Sequence, residues 1–287
     1  MFEIVYRYDP NDPRPRPRPT DPDTARRRLE EGNARFAALL DGPPDGPEGD
    51  RRLTVSDDLW DAPVGADTPI QQPFAAVLGC ADARVPTEII FGEGFNDLFV
   101  VRVAGSVLGS ECLGSLDYAL SNLGDAIKLV VVLGHSRCGA VTAAVDTFLD
   151  PARYLATAPT HPIRAVVDKI MLPVRAGQQA LVTAWGPDVG RHPGYRDALI
   201  ATAVGLNTAL TAATVRQEFR EQFGPARDVV YGVYDLTTRR VGVPVGAAAG
   251  DEPRPGLISA PADLDGFHRL GVALATAEAV RRPLGVA

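Results

Sequence analysis

The stretch that decides the fold is Ala75-Ala76-Val77-Leu78-Gly79-Cys80-Ala81-Asp82-Ala83-Arg84, read with its counterpart Leu129-Val130-Val131-Val132-Leu133-Gly134-His135-Ser136-Arg137-Cys138-Gly139. In each, a short apolar run is closed by glycine and followed by a polar turn and helical sequence. That is the sequence form of a strand buried on both faces and leading into a helix. Such units build an α/β fold around a parallel sheet, flanked by helices, and in an open sheet of this kind the carboxyl ends of the strands are where chemistry gathers. Two cysteines and a histidine therefore arrive at one edge of one sheet.

Working outward, the whole chain sets bounds. Its 287 residues are 45% apolar, enough for a substantial core. The formal net charge is −7 and Lys128 and Lys169 are the only lysines, so no basic face suited to nucleic acid is present. No apolar run reaches the roughly 18 residues of a membrane span, and Met1-Phe2-Glu3-Ile4-Val5 leads into Asp and Pro instead of an apolar leader core. The expectation is a cytoplasmic protein with neither signal peptide nor membrane span. Three cysteines, Cys80, Cys112 and Cys138, make an odd count that argues for reduced thiols rather than a disulfide framework. Cys112, in an apolar helical context, reads as a small buried hydrophobe.

The chain divides into a proline/arginine-rich N-terminal arm over residues 1–23, a sheet domain over 24–246 and a C-terminal extension over 247–287. Asp21 and Pro22 supply a cap and a first helical residue, and Leu29, Asn33, Phe36 and Leu40 recur at helical spacing. Gly, Pro and Asp crowd residues 41–73, which are expected to be irregular apart from a helical turn at 56–60. Strands are expected over 97–103, 128–134, 228–236 and 241–245, with helices over 86–91 and 112–123 and from Cys138. Ile163, Val166, Val167, Ile170 and Met171 mark an amphipathic helix that Pro173 should stop. A longer helix follows Pro193 and should end at Gly224-Pro225, and a weak one is expected around 270–280.

Two thiolates and one imidazole form a Cys2His set, and His135-x-x-Cys138 is short enough for both ligands to reach one ion. Zinc suits these donors, and three protein ligands with one open position is the catalytic arrangement. Asp82 is close enough to Cys80 to occupy that position, and Arg84 is close enough to hold Asp82 away from it through a charge-assisted pair. The pair thus reads as a gate. Taken singly, each cysteine is an ordinary buried thiol, His135 a core histidine and Asp82-x-Arg84 a surface ion pair. Taken together, on matched strand ends, they favour a metal.

Cys80-Ala81-Asp82-Ala83-Arg84 with Gly134-His135-Ser136-Arg137-Cys138-Gly139 closely resembles the β-class carbonic anhydrases, and the likeness runs over residues 29–245. Glu31-Gly32-Asn33-Ala34-Arg35-Phe36, Leu98-Phe99-Val100-Val101-Arg102 and Gly114-Ser115-Leu116-Asp117-Tyr118-Ala119 add to it. The resemblance implies that Cys80, His135 and Cys138 bind Zn2+ and that Asp82 and Arg84 form a catalytic dyad; in the gate read from their spacing, Asp82 binds the metal in a closed state only. It implies four parallel strands extended by a fifth, antiparallel strand at the edge, in a homodimer or higher even oligomer. Val103 stands where many members of the family carry Asn in an Arg-Asn-Ala-Gly run.

The activity that follows is reversible hydration of carbon dioxide to bicarbonate and a proton, with zinc-bound hydroxide as nucleophile and a rate that rises above neutral pH. Carbon dioxide is small and nonpolar, so Phe91 and Val103 are candidate walls of its pocket, and the backbone near Gly139, at a helix start, a candidate cradle for the anionic product. His161, His192 and His268 are candidate proton carriers by residue type, although each also reads as an ordinary surface residue. Hydrolysis of carbon disulfide or carbonyl sulfide on the same site is the nearest alternative, and a non-catalytic zinc or bicarbonate-binding protein is another.

Overall fold

The computed structural model describes residues 3–7, 17–41, 52–56, 70–123, 126–152, 162–245 and 254–286. Its strands are β1 (Glu3–Arg7), β2 (Arg52–Ser56), β3 (Ala75–Gly79), β4 (Leu98–Arg102), β5 (Leu129–His135), β6 (Asp228–Tyr234), β7 (Val241–Val243) and β8 (Arg254–Pro255). The helices are α1 (Pro22–Asp41), α2 (Thr87–Phe91), α3 (Ser110–Asn122), α4 (Gly139–Leu149), α5 (Arg164–Trp185), α6 (Tyr195–Glu218), α7 (Leu264–Ala275) and α8 (Glu278–Arg281).

β3 and β5 are buried along their whole length, as continuous Ala, Val and Leu runs require. Successive side chains point to opposite faces. Ala76, Leu78, Val130 and Val132 pack with Leu116 of α3 and Leu206 of α6, while Ala75, Val77, Leu129 and Val131 pack with Leu29 of α1 and Ile90 of α2. Each such Val or Leu contributes roughly 1.5–3 kcal/mol of burial energy. The sheet order is β4-β3-β5-β6-β7-β8, with β4, β3, β5 and β6 mutually parallel. Register aligns Gly79 with both Leu133 and Arg102, so Cys80 and His135 leave the sheet at the same end.

The α/β architecture and the four parallel strands are as the sequence suggests, with four departures. The antiparallel strand β7 is not at the edge, because β8 pairs with it and the Gly256 amide donates to the Val241 carbonyl. Helix α5 continues through Pro173 to Trp185. Val174, Ala180 and Leu181 beyond the proline are buried in one cluster with Leu199 and Ala203 of α6, and that packing outweighs a proline cost of about 3 kcal/mol. Third, β2 stands inside the stretch expected to be irregular, since Leu53 and Val55 alternate with exposed Arg52 and Thr54 and pair in parallel with β1. The remainder of the expected turn at 56–60 lies outside the described residues. Finally, α6 ends at Glu218, and α7 starts early because the Asp263 side chain accepts from the Gly266 amide.

At the N-terminus of α1, Asp21 Oδ1 accepts the Thr24 amide at 2.8 Å, the expected cap. Helix α6 is apolar around its circumference and long enough by composition alone to cross a bilayer; here it is buried against the sheet, α5 and α7.

Candidate metal centre

Close packing beneath the site fixes where its side chains emerge. A Cβ on Gly134 would lie 2.1 Å from Thr208 Oγ1, so only glycine lets α6 approach β5 at this point. His135 follows directly. Arg137 adopts φ 55°, the left-handed turn that swings the chain so that Cys138 caps α4.

The result is a compact donor set. Cys80 Sγ and Cys138 Sγ are 4.0 Å apart, and these atoms and a ring nitrogen of His135 all lie within 4.8 Å of one another. All three residues are buried. His135 Nδ1 is 3.0 Å from the Ser136 carbonyl, which can only accept, so Nδ1 carries the proton and Nε2 presents a lone pair. Nε2 is buried and, among the described residues, has no hydrogen-bond partner. An orphaned imidazole nitrogen beside two thiols is costly unless something binds it. Two sulfurs each about 2.3 Å from one zinc can stand at most about 4.6 Å apart, so the observed separation fits such an ion.

Electrostatics agree with this arrangement. A hydrogen bond from the Cys138 thiol is the main cause that pulls the Cys80 pKa well below its usual range despite burial, and the amides of Asp82 and Gly105 act in the same direction. Cys80 and burial push Cys138 the other way, opposed by the Val141 and Ala140 amides that open α4. The two sulfurs thus oppose each other's ionisation, and a divalent cation would relieve this by taking both as thiolates.

Asp82 and Arg84 form a bidentate pair. Arg84 Nε donates to Oδ1 at 2.9 Å and Nη2 to Oδ2 at 2.7 Å, and the Arg84 backbone amide also reaches Oδ1 at 2.9 Å. The side-chain bond from Arg84 is the main reason that the Asp82 carboxyl lies far below the ordinary carboxylate range. Oδ2 also faces His135 Nε2 at 3.8 Å. The acid thus borders the donor cluster while held by arginine.

Other residues singled out from the sequence fall variously. Gly139 is the first residue of α4, next to Cys138, and a Cβ built there would meet nothing within 4 Å. Val103 packs half-buried against the cluster that holds Cys80 and Cys138, whereas Phe91 is fully buried in a different cluster with Leu29 and Phe74. His192 Nδ1 accepts the Gly194 amide at an exposed turn. His268 borders a groove of about 760 Å³ between α5, α6 and α7, and His161 lies outside the described residues. Arg102 received no role from sequence, yet its Nε donates to the Cys80 carbonyl at 3.0 Å and its Nη2 to the Asp82 carbonyl at 2.6 Å. The available signal was its register opposite Gly79 at the end of β4.

Comparison with known proteins gives a consistent result. Residues 75–192 match the family model described as carbonic anhydrase. The chain is 40% identical to carbonic anhydrase 2 of Mycobacterium tuberculosis over 162 residues, 56% of this chain and 68% of the relative. It is 37% identical to the carbonic anhydrase of Mycolicibacterium smegmatis over 163 residues, again 56% of this chain and 68% of the relative. Among solved structures, the β-carbonic anhydrase CcaA is similar at 19% identity and a TM-score of 0.47, covering 65% of this chain and 85% of that one. The chain belongs to the carbonic anhydrase family.

Proposed function

We propose that this protein catalyses the reversible hydration of carbon dioxide to bicarbonate and a proton, at a zinc ion held by Cys80, His135 and Cys138. The observation that carries the reading is the buried His135 Nε2, left without a partner among the described residues beside two sulfurs 4.0 Å apart. When bound, zinc supplies the positive charge that lets a water molecule lose a proton near neutral pH.

The chain's own residues do the rest. Ser136 holds the His135 tautomer through its carbonyl, which keeps Nε2 available as a donor. The Asp82 carboxylate, engaged by Arg84, is an acceptor that orients a water proton at Oδ2, the oxygen nearest the cluster. Because Arg84 holds the carboxyl far below its ordinary pKa, Asp82 accepts a hydrogen bond without keeping the proton, which leaves for solvent. Rotation of Asp82 away from Arg84 would bring a carboxylate oxygen to the ligand set, and this is the gate. Val103, packed against the cluster that holds Cys80 and Cys138, is the candidate apolar wall for the substrate, and the first amides of α4 beside Gly139 favour an anionic product.

Assembly into a dimer or a higher even oligomer belongs to the same reading. Leu98, Phe99, Val100 and Val101 of the edge strand β4 are only partly buried, and Tyr118, against Phe99, is half exposed. Free thiols at Cys80, Cys112 and Cys138 suit a reducing compartment such as the cytoplasm.

The test is zinc analysis combined with stopped-flow carbon dioxide hydration by the wild type and Asp82→Ala. The expected outcome is stoichiometric zinc in both and a turnover at least tenfold lower in the variant. Full zinc with no hydration by the wild type would instead identify a binding protein.

A further inference from the structure

The thiolate ligand Cys80 is held from a second direction by a turn that the proposed mechanism has not used. Gly105 lies in the short helical turn Ala104–Ser106 after β4, and its amide donates to Cys80 Sγ at 3.3 Å. Its φ is 67°, and a Cβ there would sit 2.9 Å from Ile170 Cδ1 and 3.0 Å from Ala140 Cβ, so the position requires glycine. Glycine is also the residue with the greatest backbone freedom. Something must therefore fix the direction in which this amide points.

The structure offers a specific anchor. Asn207, buried on α6 and 102 positions away in sequence, donates from Nδ2 to the Gly105 carbonyl at 2.8 Å. On the flanking residues, Ser106 Oγ donates to the Leu133 carbonyl at 3.0 Å, and the Val103 amide donates to the Gly79 carbonyl at 3.0 Å. The Gly105 amide and carbonyl belong to different peptide units that share one Cα. Pinning the carbonyl thus acts by orientation: it restricts rotation about the glycine and keeps the N–H on the sulfur. A bond from amide to thiolate withdraws charge from the sulfur and sets its direction, as outer partners of metal ligands do.

We propose that Asn207 is a positioning residue for the metal centre, acting through Gly105 to aim a backbone amide at the Cys80 sulfur. The proposal rests on the reading that Cys80, His135 and Cys138 hold zinc. It differs from a purely structural role, in which Asn207 would only tie α6 to the turn and its loss would lower stability without altering the metal.

The experiment compares wild type, Asn207→Leu, Asn207→Asp and Thr202→Val. Thr202 is a buried residue of the same helix whose hydroxyl donates within its own turn, to the Ala198 carbonyl at 2.9 Å, so its loss reports general damage to α6. Zinc retention is measured by competition with a chromophoric chelator, the sulfur-to-metal charge-transfer band after cobalt substitution, and folding by thermal unfolding. Wild-type stoichiometry is measured first. The Asn207 variants are expected to retain zinc about tenfold more weakly, the lower end of the range for outer partners, and to shift the cobalt band. Thr202→Val should do neither, even where its melting temperature falls. Folded Asn207 variants with unchanged zinc retention and an unchanged band would overturn the proposal, as would an equal shift in Thr202→Val. Should Asn207→Leu not fold, the near-isosteric Asn207→Asp carries the same test. A wild type that takes up no zinc would overturn the metal reading itself, and this inference with it.

Discussion

Substituting Gly134 by alanine tests whether contact between α6 and β5 sets the height of His135. The new methyl would stand 2.1 Å from Thr208 Oγ1 and 3.2 Å from both Thr208 Cβ and Cγ2, where carbon contacts need about 3.5 Å or more. Thr208 cannot swing clear without cost, because its hydroxyl donates to the Val204 carbonyl at 2.8 Å inside its own helix. Either the strand or the helix must shift. Overpacking of this kind typically costs about 1–3 kcal/mol, which in a chain of this size lowers the melting temperature by several degrees. His135 is the next residue, so the shift also moves Nε2, and zinc retention should weaken. Thr208→Ala removes Oγ1 and Cγ2, leaving the 3.2 Å contact to Cβ alone, and should restore most of the lost stability in the double variant. The assay is urea unfolding of the wild type, both single variants and the double variant, read as a double-mutant cycle. Strong positive coupling, of the order of 1 kcal/mol or more, is expected. Additive losses, or a Gly134→Ala protein as stable as wild type, would refute the reasoning.

Two further outcomes follow from the same geometry. Arg102→Ala frees the carbonyls of Cys80 and Asp82 and should reduce zinc retention and hydration about 10–100-fold, measured by chelator competition and stopped flow; an effect on stability alone would count against the clamp. At the start of α1, the Thr24 amide lowers the Asp21 pKa from its ordinary value of 3.8. A depressed folded-state pKa contributes stability that is fully present above the unfolded value and is lost as pH falls through the folded one. Asp21→Asn keeps a cap and removes the titration. The urea midpoints of wild type and variant should therefore draw together as pH falls below about 4, whereas a pH-independent gap would contradict this.

The part of the fold legible in sequence is the part whose signals are local. The runs at 75–79 and 129–134 are apolar on both faces, stop at glycine and precede helices, and β3 and β5 stand there. The cluster of Cys80, His135 and Cys138 was legible for the same reason, since matched strand ends in one parallel sheet bring their first loop residues together. What was not legible depended on partners distant in sequence. Leu53 and Val55 alternate over too few residues to stand out among Gly, Pro and Asp, and their pairing strand lies near the start of the chain. Pro173 carries a strong local signal to stop a helix, and only the apolar surface offered by α6 overrides it. Arg102 and Asn207 act on backbone carbonyls, a role that leaves no trace in residue type or spacing.

The central claim is that one zinc ion sits between two sulfurs and an imidazole nitrogen. X-ray absorption at the zinc edge tests it most directly, because sulfur and nitrogen neighbours scatter at different distances. The account predicts two sulfurs at about 2.3 Å and a histidine nitrogen at about 2.0–2.1 Å in the wild type, with one sulfur lost in Cys80→Ser and one in Cys138→Ser. Zinc bound without sulfur in its first shell, or sulfur scattering unchanged by either substitution, would contradict it.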